Sequence, residues 1–432
     1  MQNAVDGGDA SEANLVGKRY LDDLQLEWND GYGVEQNGAD IVLNNLQPHS
    51  NLKRLTIHGY GGLRFPDWLE GPAILINMVS LRLWGCKNVS AFPPLGQLPS
   101  LKHLYISGAE EVERVGAEFY GTDSSSTKPS FVSLKALSFC HMPKWKEWLC
   151  LGGQGGEFPR LKELYIQDCP KLTGDLPDHL PLLTKLEIEE CEQLLAPLPR
   201  VPAIRELMTR DNGLVSLMSP ASDFICLESL ITSDISQWTE LPPTLQKLSI
   251  EKADSLESLL EEEILQSNTC LQDLTITKCS FSRTLRTVCL PITLKSLCIS
   301  ESKNLELLLP KFFKCHFSLL EMLDICDSTC NSLCFPLSIF PRLNFLQIYE
   351  VRGLESLSFS ISEGGPTSFD DLFISGCPNL VSIELPELNF SRISIYSCEN
   401  LKSLLHKATH LPLFSNNQKL SIAERSVQVW DR

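Results

Sequence analysis

The sequence of 432 residues has no uninterrupted apolar run of about 18 residues, the length that a membrane-spanning helix needs. Its first residues, MQNAVDGGDASEANL, lack the basic and apolar regions of a secretory signal peptide. Positive charge is also scarce, with 37 lysine and arginine residues against 54 aspartate and glutamate residues and a net charge of −17. Such an acidic chain repels phosphate backbones and anionic lipids. These absences predict a cytoplasmic protein with no membrane span and no nucleic-acid partner.

Motifs for catalysis or nucleotide binding are missing as well. The sequence contains no Gly-x-x-x-x-Gly-Lys-Ser/Thr phosphate loop, no Gly-x-Ser-x-Gly elbow, no kinase signature and no dinucleotide fingerprint. The densest cysteine cluster comprises Cys326, Cys330 and Cys334, with Cys315 and His316 nearby. Zinc could use this spacing, but the cluster overlaps a repeat, and packing within that repeat is the favoured explanation. We therefore predict no enzymatic activity, no cofactor and no metal site.

One phrase recurs along the chain: an apolar residue, two variable residues, Leu, one variable residue, Ile or Leu, and often Cys three positions later. Clear copies are Leu52-Leu55-Ile57, Leu101-Leu104-Ile106, Leu161-Leu164-Ile166, Leu245-Leu248-Ile250 and Leu343-Leu346-Ile348. We count roughly 16 copies about 25 residues apart, a spacing typical of leucine-rich repeats.

The Leu-x-Ile core of the phrase alternates with period two, so both side chains point to one face of a short strand. One strand cannot bury that face alone, whereas stacked repeats form a parallel sheet over a continuous core. Proline marks the descending turn of several repeats, as at Pro93, Pro177 and Pro310. The predicted fold is an α/β leucine-rich-repeat solenoid, a horseshoe with a parallel β-sheet on the concave face and an irregular, mostly non-helical convex side.

The repeat predicts a single domain over residues 1–432. Two Gly- and Ser-rich segments interrupt the period, at 118–130 and 149–157, and are expected to be protruding insertions. Residues 411–432 show no clear polar cap, so we expect an uncapped or disordered tail there.

Cysteine is plentiful, with 16 residues. A disulfide framework belongs to short secreted chains, and this chain is long enough to bury a core. Several cysteines share one repeat position, where the chain leaves the sheet: Cys86, Cys169, Cys191, Cys279, Cys377 and Cys398. A small thiol packs there and hydrogen-bonds weakly to the backbone, which predicts reduced, structural cysteines.

Certain segments are more specific than leucine spacing. They are DASEANLVGKRYLDDLQLEW (residues 9–28), QPHSNLKRLTIHGYGGLRFPDWL (47–69), LRLWGCKNVSAFPPLGQLPSLKHLYI (81–106) and VERVGAEFYG (112–121). These segments resemble the leucine-rich-repeat region of coiled-coil-type plant NLR disease resistance proteins. The resemblance is strong to about residue 170 and follows the generic repeat thereafter.

The resemblance implies an innate-immunity recognition module that binds a pathogen effector or a guarded host protein. It also implies that such a module regulates the nucleotide-binding module of the same receptor, whose phosphate loop this sequence lacks. The chain is therefore expected to be a fragment, a truncated gene product or a partial gene model. The alternative function is the substrate-recognition repeat region of a ubiquitin-ligase adaptor, against which the proline-rich turns argue.

Binding is predicted on the concave face, at aromatic residues that flank the strand leucines: Trp84, Tyr105, Tyr165, Tyr349, Phe373 and Tyr396. Exposed rings on a rigid sheet make good anchors. The alternative interpretation is that adjacent rings only cover one another across the ladder. Lysines that follow the first leucine of the phrase are predicted to line one edge, either as solubilising charges or for an acidic partner: Lys53, Lys102, Lys135, Lys162 and Lys295.

Overall fold

A computed structural model of the protein describes residues 6–431, apart from 29–35, 71–73, 122–129, 151–156, 196–197, 211–222, 234, 236–237, 239, 253–259, 261–263, 282–287, 289, 316, 362–367, 386–388, 407–418 and 424–427. The chain divides into two compact units, Met1–Leu227 and Glu228–Arg432. Each unit is a stack of parallel strands.

The strands of unit 1 follow one another at the intervals that the repeat predicts. They are β1 (Asp23–Glu27), β2 (Arg54–His58), β3 (Ser80–Trp84), β4 (His103–Ser107), β5 (Arg114–Val115), β6 (Ala136–Cys140), β7 (Glu147–Trp148), β8 (Glu163–Gln167), β9 (Lys185–Glu189) and β10 (Glu206–Arg210). The two-residue strands β5 and β7 pair with each other. All the others pair in parallel with their neighbours along the chain and form the ladder of unit 1.

Unit 2 contains two sheets. Its strands are β11 (Ser229–Thr232), β12 (Lys247–Glu251), β13 (Asp273–Thr277), β14 (Ser296–Ser300), β15 (Met322–Cys326), β16 (Ser332–Pro336), β17 (Phe345–Tyr349), β18 (Ser356–Ser360), β19 (Ser368–Ser375), β20 (Ser382–Leu385), β21 (Asn389–Tyr396), β22 (Ser403–His406), β23 (Lys419–Ala423) and β24 (Gln428–Asp431). From β11 to β15, and then through β17, β19, β21 and β23, the strands form the ladder of unit 2. The even-numbered strands from β16 to β24 form a second parallel sheet.

The predicted inward pattern is confirmed in both ladders. In β3 and β4, Leu81 is in register with Leu104, and Leu83 with Ile106. All four side chains are at most 1% exposed. Stacking the same apolar pair from repeat to repeat builds the continuous core that a single strand could not form. The fold is a parallel-strand leucine-rich-repeat solenoid with little helix.

Helices are short, as predicted for turns rich in proline. They are α1 (Gly7–Glu12), α2 (Gln36–Asn45), α3 (Asp67–Glu70), α4 (Ala117–Tyr120), α5 (Ile264–Ser267) and α6 (Leu305–Phe312). Within the described residues, no helix combines the length and the apolar composition needed to cross a bilayer. One expectation is wrong: Pro310 does not mark a descending turn but lies inside α6.

The returning segments of unit 2 are more regular than the sequence predicted. The second sheet buries its own period-two residues, including Leu333 and Phe335 of β16 and Leu357 and Phe359 of β18. Phe335 and Phe359 stack with ring centroids 5.8 Å apart. The predicted fold, with little helix, is confirmed, and in unit 2 these segments also carry a second alternating apolar pair that forms a ladder.

The predicted insertion at 118–130 begins inside the core. Phe119 and Tyr120 of α4 are fully buried, and Trp148 donates a hydrogen bond from Nε1 to the Tyr120 hydroxyl at 2.8 Å. This part of the segment is therefore not a protruding loop. Residues 122–129 and 151–156, the middle of each predicted insertion, lie outside the described residues. Where the sequence predicted an uncapped or disordered tail, β23 and β24 extend the two sheets of unit 2.

Most of the described ladder strands end in the same tight turn. The residue after the strand has a positive φ, as at Gly85 (φ 65°), Asp168 (φ 49°) and Glu190 (φ 54°). At the next position, the Cys169 thiol donates to the Gln167 carbonyl at 3.3 Å, and the Cys191 thiol donates to the Glu189 carbonyl at 3.3 Å. The predicted structural role of this cysteine is thus seen as a bond to the carbonyl two residues earlier.

Candidate binding face of the strand ladders

The solvent-facing residues of a ladder strand are the three that alternate with the buried pair. In β3 these are Ser80, Arg82 and Trp84, none of which is buried, whereas Leu81 and Leu83 are. We call this surface the ladder face. It is the surface for which the sequence predicts binding. Because the strands are parallel and in register, outward residues form rows that run across the strands.

Trp84 is the most exposed of the six predicted aromatic residues, at 43%. Its row neighbours are His58 on β2 and Ser107 on β4. The His58 ring meets the Trp84 ring edge-on, with centroids 6.4 Å apart. Ser107 is small, so one side of the indole is left uncovered by its row neighbour.

Tyr105 and Tyr165 occupy the row beside that of Trp84. Tyr105 is in register with Arg82 and Ser138, and Tyr165 follows Ser138 in the same row. The two rings are therefore two strand spacings apart, about 10 Å, with the small Ser138 between them. Trp84 and Tyr105 lie on consecutive strands, as expected, but in different rows.

Cations, rather than other rings, cover the two predicted binding tyrosines of unit 1, Tyr105 and Tyr165. The Arg82 guanidinium carbon lies 5.2 Å from the centre of the Tyr105 ring, and Lys185 Nζ lies 5.3 Å from the Tyr165 ring. The Tyr165 hydroxyl also donates to Glu163 at 3.1 Å. Within the described residues, neither tyrosine makes a ring–ring contact, so mutual ring coverage does not account for them.

Unit 2 carries the other three predicted residues on its own ladder face. Tyr349 and Tyr396 both flank Ser375 in one row, which repeats the Tyr-Ser-Tyr arrangement of unit 1. Phe373 lies in the next row and contacts Tyr396, with ring centroids 5.9 Å apart. Here adjacent rings do cover one another in part. Hydrogen bonding to Glu350 raises the pKa of the Tyr349 hydroxyl.

The predicted lysine row is present along the edge of unit 1, just before the strands begin. Backbone hydrogen bonds of 2.8 Å link Lys53, Val79, Lys102, Lys135 and Lys162 in that order. All four lysines are exposed. The predicted Lys295 occupies the corresponding row of unit 2, between Gln272 and Glu321.

A depression of about 470 Å³ opens between this edge and the ladder face. Its lining residues are Lys53, Arg54, Val79, Ser80, Arg82, His103 and Tyr105. Within it, the short Ser80 side chain lies between the longer Arg54 and His103 side chains of β2 and β4. Burial lowers the pKa of His103, and Lys135, Lys102 and Arg82 lower it further against the opposing Glu163. His103 is therefore uncharged at neutral pH.

Sequence reasoning missed Arg82, Lys185 and His103, because their contacts depend on which residues face each other across strands. The ladder face offers cations, rings and hydroxyls for noncovalent contact. Among the described residues, no group of three or more His, Cys, Asp or Glu side chains is arranged to hold a metal ion. The described cysteines are free thiols. In the cysteine cluster for which repeat packing was predicted, the buried Cys330 thiol donates to the Ser332 carbonyl at 3.2 Å, and His316 lies outside the described residues.

Comparison with known proteins agrees with this architecture. Residues 1–109 match the family described as R13L1/DRL21 LRRs. A putative disease resistance RPP13-like protein 1 of Arabidopsis thaliana is 34% identical over 292 residues, which are 65% of this chain and 26% of that protein. Disease resistance protein RGA2 of Solanum bulbocastanum is 36% identical over 181 residues, 41% of this chain and 18% of that protein.

The chain is similar to the leucine-rich-repeat region of plant disease resistance proteins. The resemblance predicted from the sequence is thereby confirmed. The chain spans about a quarter or less of the length of these relatives.

Two solved structures that show likeness to the chain are described as leucine-rich-repeat proteins. The repeat domain of the type III effector XopL has a TM-score of 0.38 and 19% identity, covering 57% of this chain and 80% of that one. A circular leucine-rich-repeat protein, CroV588, has a TM-score of 0.46 and 13% identity, covering 94% and 66%. At these values, the fold assignment rests on the strand register and the buried core described above.

Proposed function

We propose that this chain is a non-catalytic, cytoplasmic recognition module of a plant disease resistance protein. It binds a pathogen effector or a guarded host protein through the ladder face, and it regulates the nucleotide-binding module of the same receptor. The similarity to disease resistance proteins supports the general role. We propose further that residues 1–432 form one repeat domain.

The observation that carries the binding site is the group of three aromatic residues on the ladder face of unit 1, of which Trp84 is exposed. The indole of Trp84 has one side free of a covering row neighbour, and Tyr105 and Tyr165 stand apart over Ser138. A gap of about 10 Å between two rings can accept one side chain of a partner. Aromatic side chains that become buried when a partner binds often contribute most of the binding energy of a protein interface. On unit 2, we propose Tyr349, Phe373 and Tyr396 as a separate contact surface.

The test is an array of secreted pathogen proteins and host proteins probed with the purified chain. A binding partner is then measured against the double variant Trp84→Ala/Tyr105→Ala. Losing a central anchor costs about 2 kcal/mol or more, so we expect affinity to fall by about 30-fold or more. The fold should survive, because both side chains point to solvent.

A matched control is Lys87→Ala/Glu110→Ala. These residues follow the same two strands, beyond the turn, and form an ion pair of 3.8 Å on the surface. Net charge is unchanged, and binding should be as in the wild type. If the aromatic variant binds normally while changes within 118–130 or 149–157 abolish binding, recognition belongs to those insertions and the proposal is wrong.

A further inference from the structure

Among the described residues, three neighbouring lysines on the edge of unit 1 have no acidic partner. For Lys102, Lys135 and Lys162, no carboxylate oxygen of the described residues lies within 4.0 Å of Nζ. The basic residues of the preceding repeat differ, because Lys53 pairs with Asp22 at 3.1 Å and Arg54 pairs with Asp23 at 2.8 Å. The chain has a net charge of −17, so these three adjacent lysines give this edge a local positive charge that is opposite to the charge of the whole chain.

The spacing of these cations suits an extended chain lying across the strands. Lys102, Lys135 and Lys162 are on consecutive ladder strands, linked by backbone hydrogen bonds of 2.8 Å. Adjacent strands are about 4.8 Å apart, so the three side chains span about 10 Å. In an extended peptide, side chains on the same side recur about every 6.7 Å. The long lysine side chains can bridge this difference and contact two or three alternate carboxylates.

The depression beside the row gives such a chain a second point of contact. Its lining includes Val79, Ser80, Arg82, His103 and Tyr105. With a volume of about 470 Å³, it can hold one or two side chains. Arg82 places a guanidinium beside the Tyr105 ring. This pair suits a partner segment in which an acidic residue lies next to an apolar one.

We propose that the basic edge of unit 1 binds an extended acidic segment of a partner protein, with carboxylates on Lys102, Lys135 and Lys162. The inference rests on the proposed function, since it names the chemistry of the partner for the same unit. Alternate residues of the segment then point toward the ladder face, where Tyr105 and Tyr165 contact them.

The row favours an acidic peptide over a nucleic acid. It is short, since Thr184 follows Lys162 at one end and Asp22 precedes Lys53 at the other. The exposed Glu163 lies directly beside Lys162. A phosphate backbone would meet these carboxylates and the net negative charge of the chain, whereas a peptide can place its few carboxylates between them.

The test measures binding of a fluorescein-labelled peptide of alternating glutamate and tyrosine by fluorescence anisotropy. The variant is Lys102→Gln/Lys135→Gln/Lys162→Gln, in which exposed side chains keep most of their length. Loss of three surface ion pairs should weaken binding about tenfold. The wild-type affinity should also fall as salt rises from about 0.05 to about 0.3 M, because screening shortens the reach of the charges.

The control variant is Lys144→Gln/Lys146→Gln/Lys171→Gln. It removes the same charge from the same unit, but from the turns after the strands, where Lys144 and Lys146 pair with Glu111 and Glu113. Peptide affinity should stay within about twofold of the wild type. An equal loss in both variants would mean that only net charge matters and would overturn the proposal.

Two further outcomes decide against the inference. One is no measurable binding of the peptide by the wild-type chain. The other is tighter binding of single-stranded oligothymidylate that the lysine variant loses, which would assign the edge to nucleic acid. The failure of this inference can be distinguished from the failure of the proposed function. If the Trp84/Tyr105 variant loses an array partner while the lysine variant keeps it, the ladder face stands and the acidic-segment inference falls.

Discussion

At the scale of single residues, the turn after most ladder strands restricts which residue can be accommodated, because its backbone has a positive φ. Gly59 follows β2 with a φ of 68°, and a Cβ added there would lie 2.4 Å from the carbonyl oxygen of Trp28. Gly59→Ala should therefore lower the free energy of unfolding by about 2 kcal/mol, measured by urea denaturation. Gly61→Ala is the control, because nothing lies within 4 Å of its added Cβ. Equal stability of the two variants would contradict this account of the turn.

Two turn cysteines, Cys398 and Cys86, should differ in reactivity. A hydrogen bond with Cys377 lowers the pKa of Cys398 to about 7, whereas burial raises the pKa of Cys86 to about 12. Only the thiolate is alkylated, so labelling of Cys398 by iodoacetamide should rise as pH passes about 7 and then level off. Cys86 should stay almost unlabelled up to about pH 9. Peptide mass spectrometry measures both rates.

The Cys377→Ala variant provides the control for this prediction. Removing the hydrogen-bond donor should raise the pKa of Cys398 and shift its labelling to higher pH. Equal labelling rates of Cys86 and Cys398 between pH 6 and 9 would show that the hydrogen bond does not tune the thiol.

At the scale of one strand, adjacent residues should have very different effects on stability. Leu164 of β8 is fully buried, while its neighbour Tyr165 faces solvent. Leu164→Ala should cost about 3 kcal/mol of unfolding free energy, because it leaves a cavity in the core. Tyr165→Ala should cost less than about 1 kcal/mol, since it removes only a surface ring and its contact with Lys185. Chemical denaturation measures the free energy of unfolding of both variants. A larger loss for Tyr165→Ala than for Leu164→Ala would contradict the assignment of Leu164 to the buried side of β8.

The strand elements could be predicted from the sequence because their signal is local. The Leu-x-Ile pair fixes which side of each strand is buried, as Leu164 and Ile166 show. The second sheet of unit 2 was missed although Leu333 and Phe335 show the same alternation, because the prolines of the returning segments predicted an irregular backbone there. Cross-strand contacts were missed for another reason. That Arg82 lies over Tyr105 follows from the register between β3 and β4, which the sequence of either strand does not contain.

At the scale of the whole molecule, the sequence predicts no interaction with nucleotides. The chain has no phosphate loop, whose glycine-rich backbone and lysine hold the phosphates in many nucleotide-binding proteins. Isothermal titration calorimetry with ADP and with ATP should therefore give no binding heat, and phosphate release from ATP should stay at the background rate. A protein that contains the loop serves as the positive control. Micromolar affinity for either nucleotide would contradict the prediction.

The alternation of buried and solvent-facing residues has an evolutionary consequence. Leu81 and Leu83 hold β3 in the stack, while Arg82 and Trp84 between and after them hardly touch the core. Substitutions at solvent-facing positions usually change stability by less than about 0.5 kcal/mol. Mutation can therefore alter the surface of each repeat independently of its neighbours, with the scaffold left intact. Selection for new specificities can act on such a chain one repeat at a time, and duplication of a repeat supplies a further solvent-facing set without a new fold.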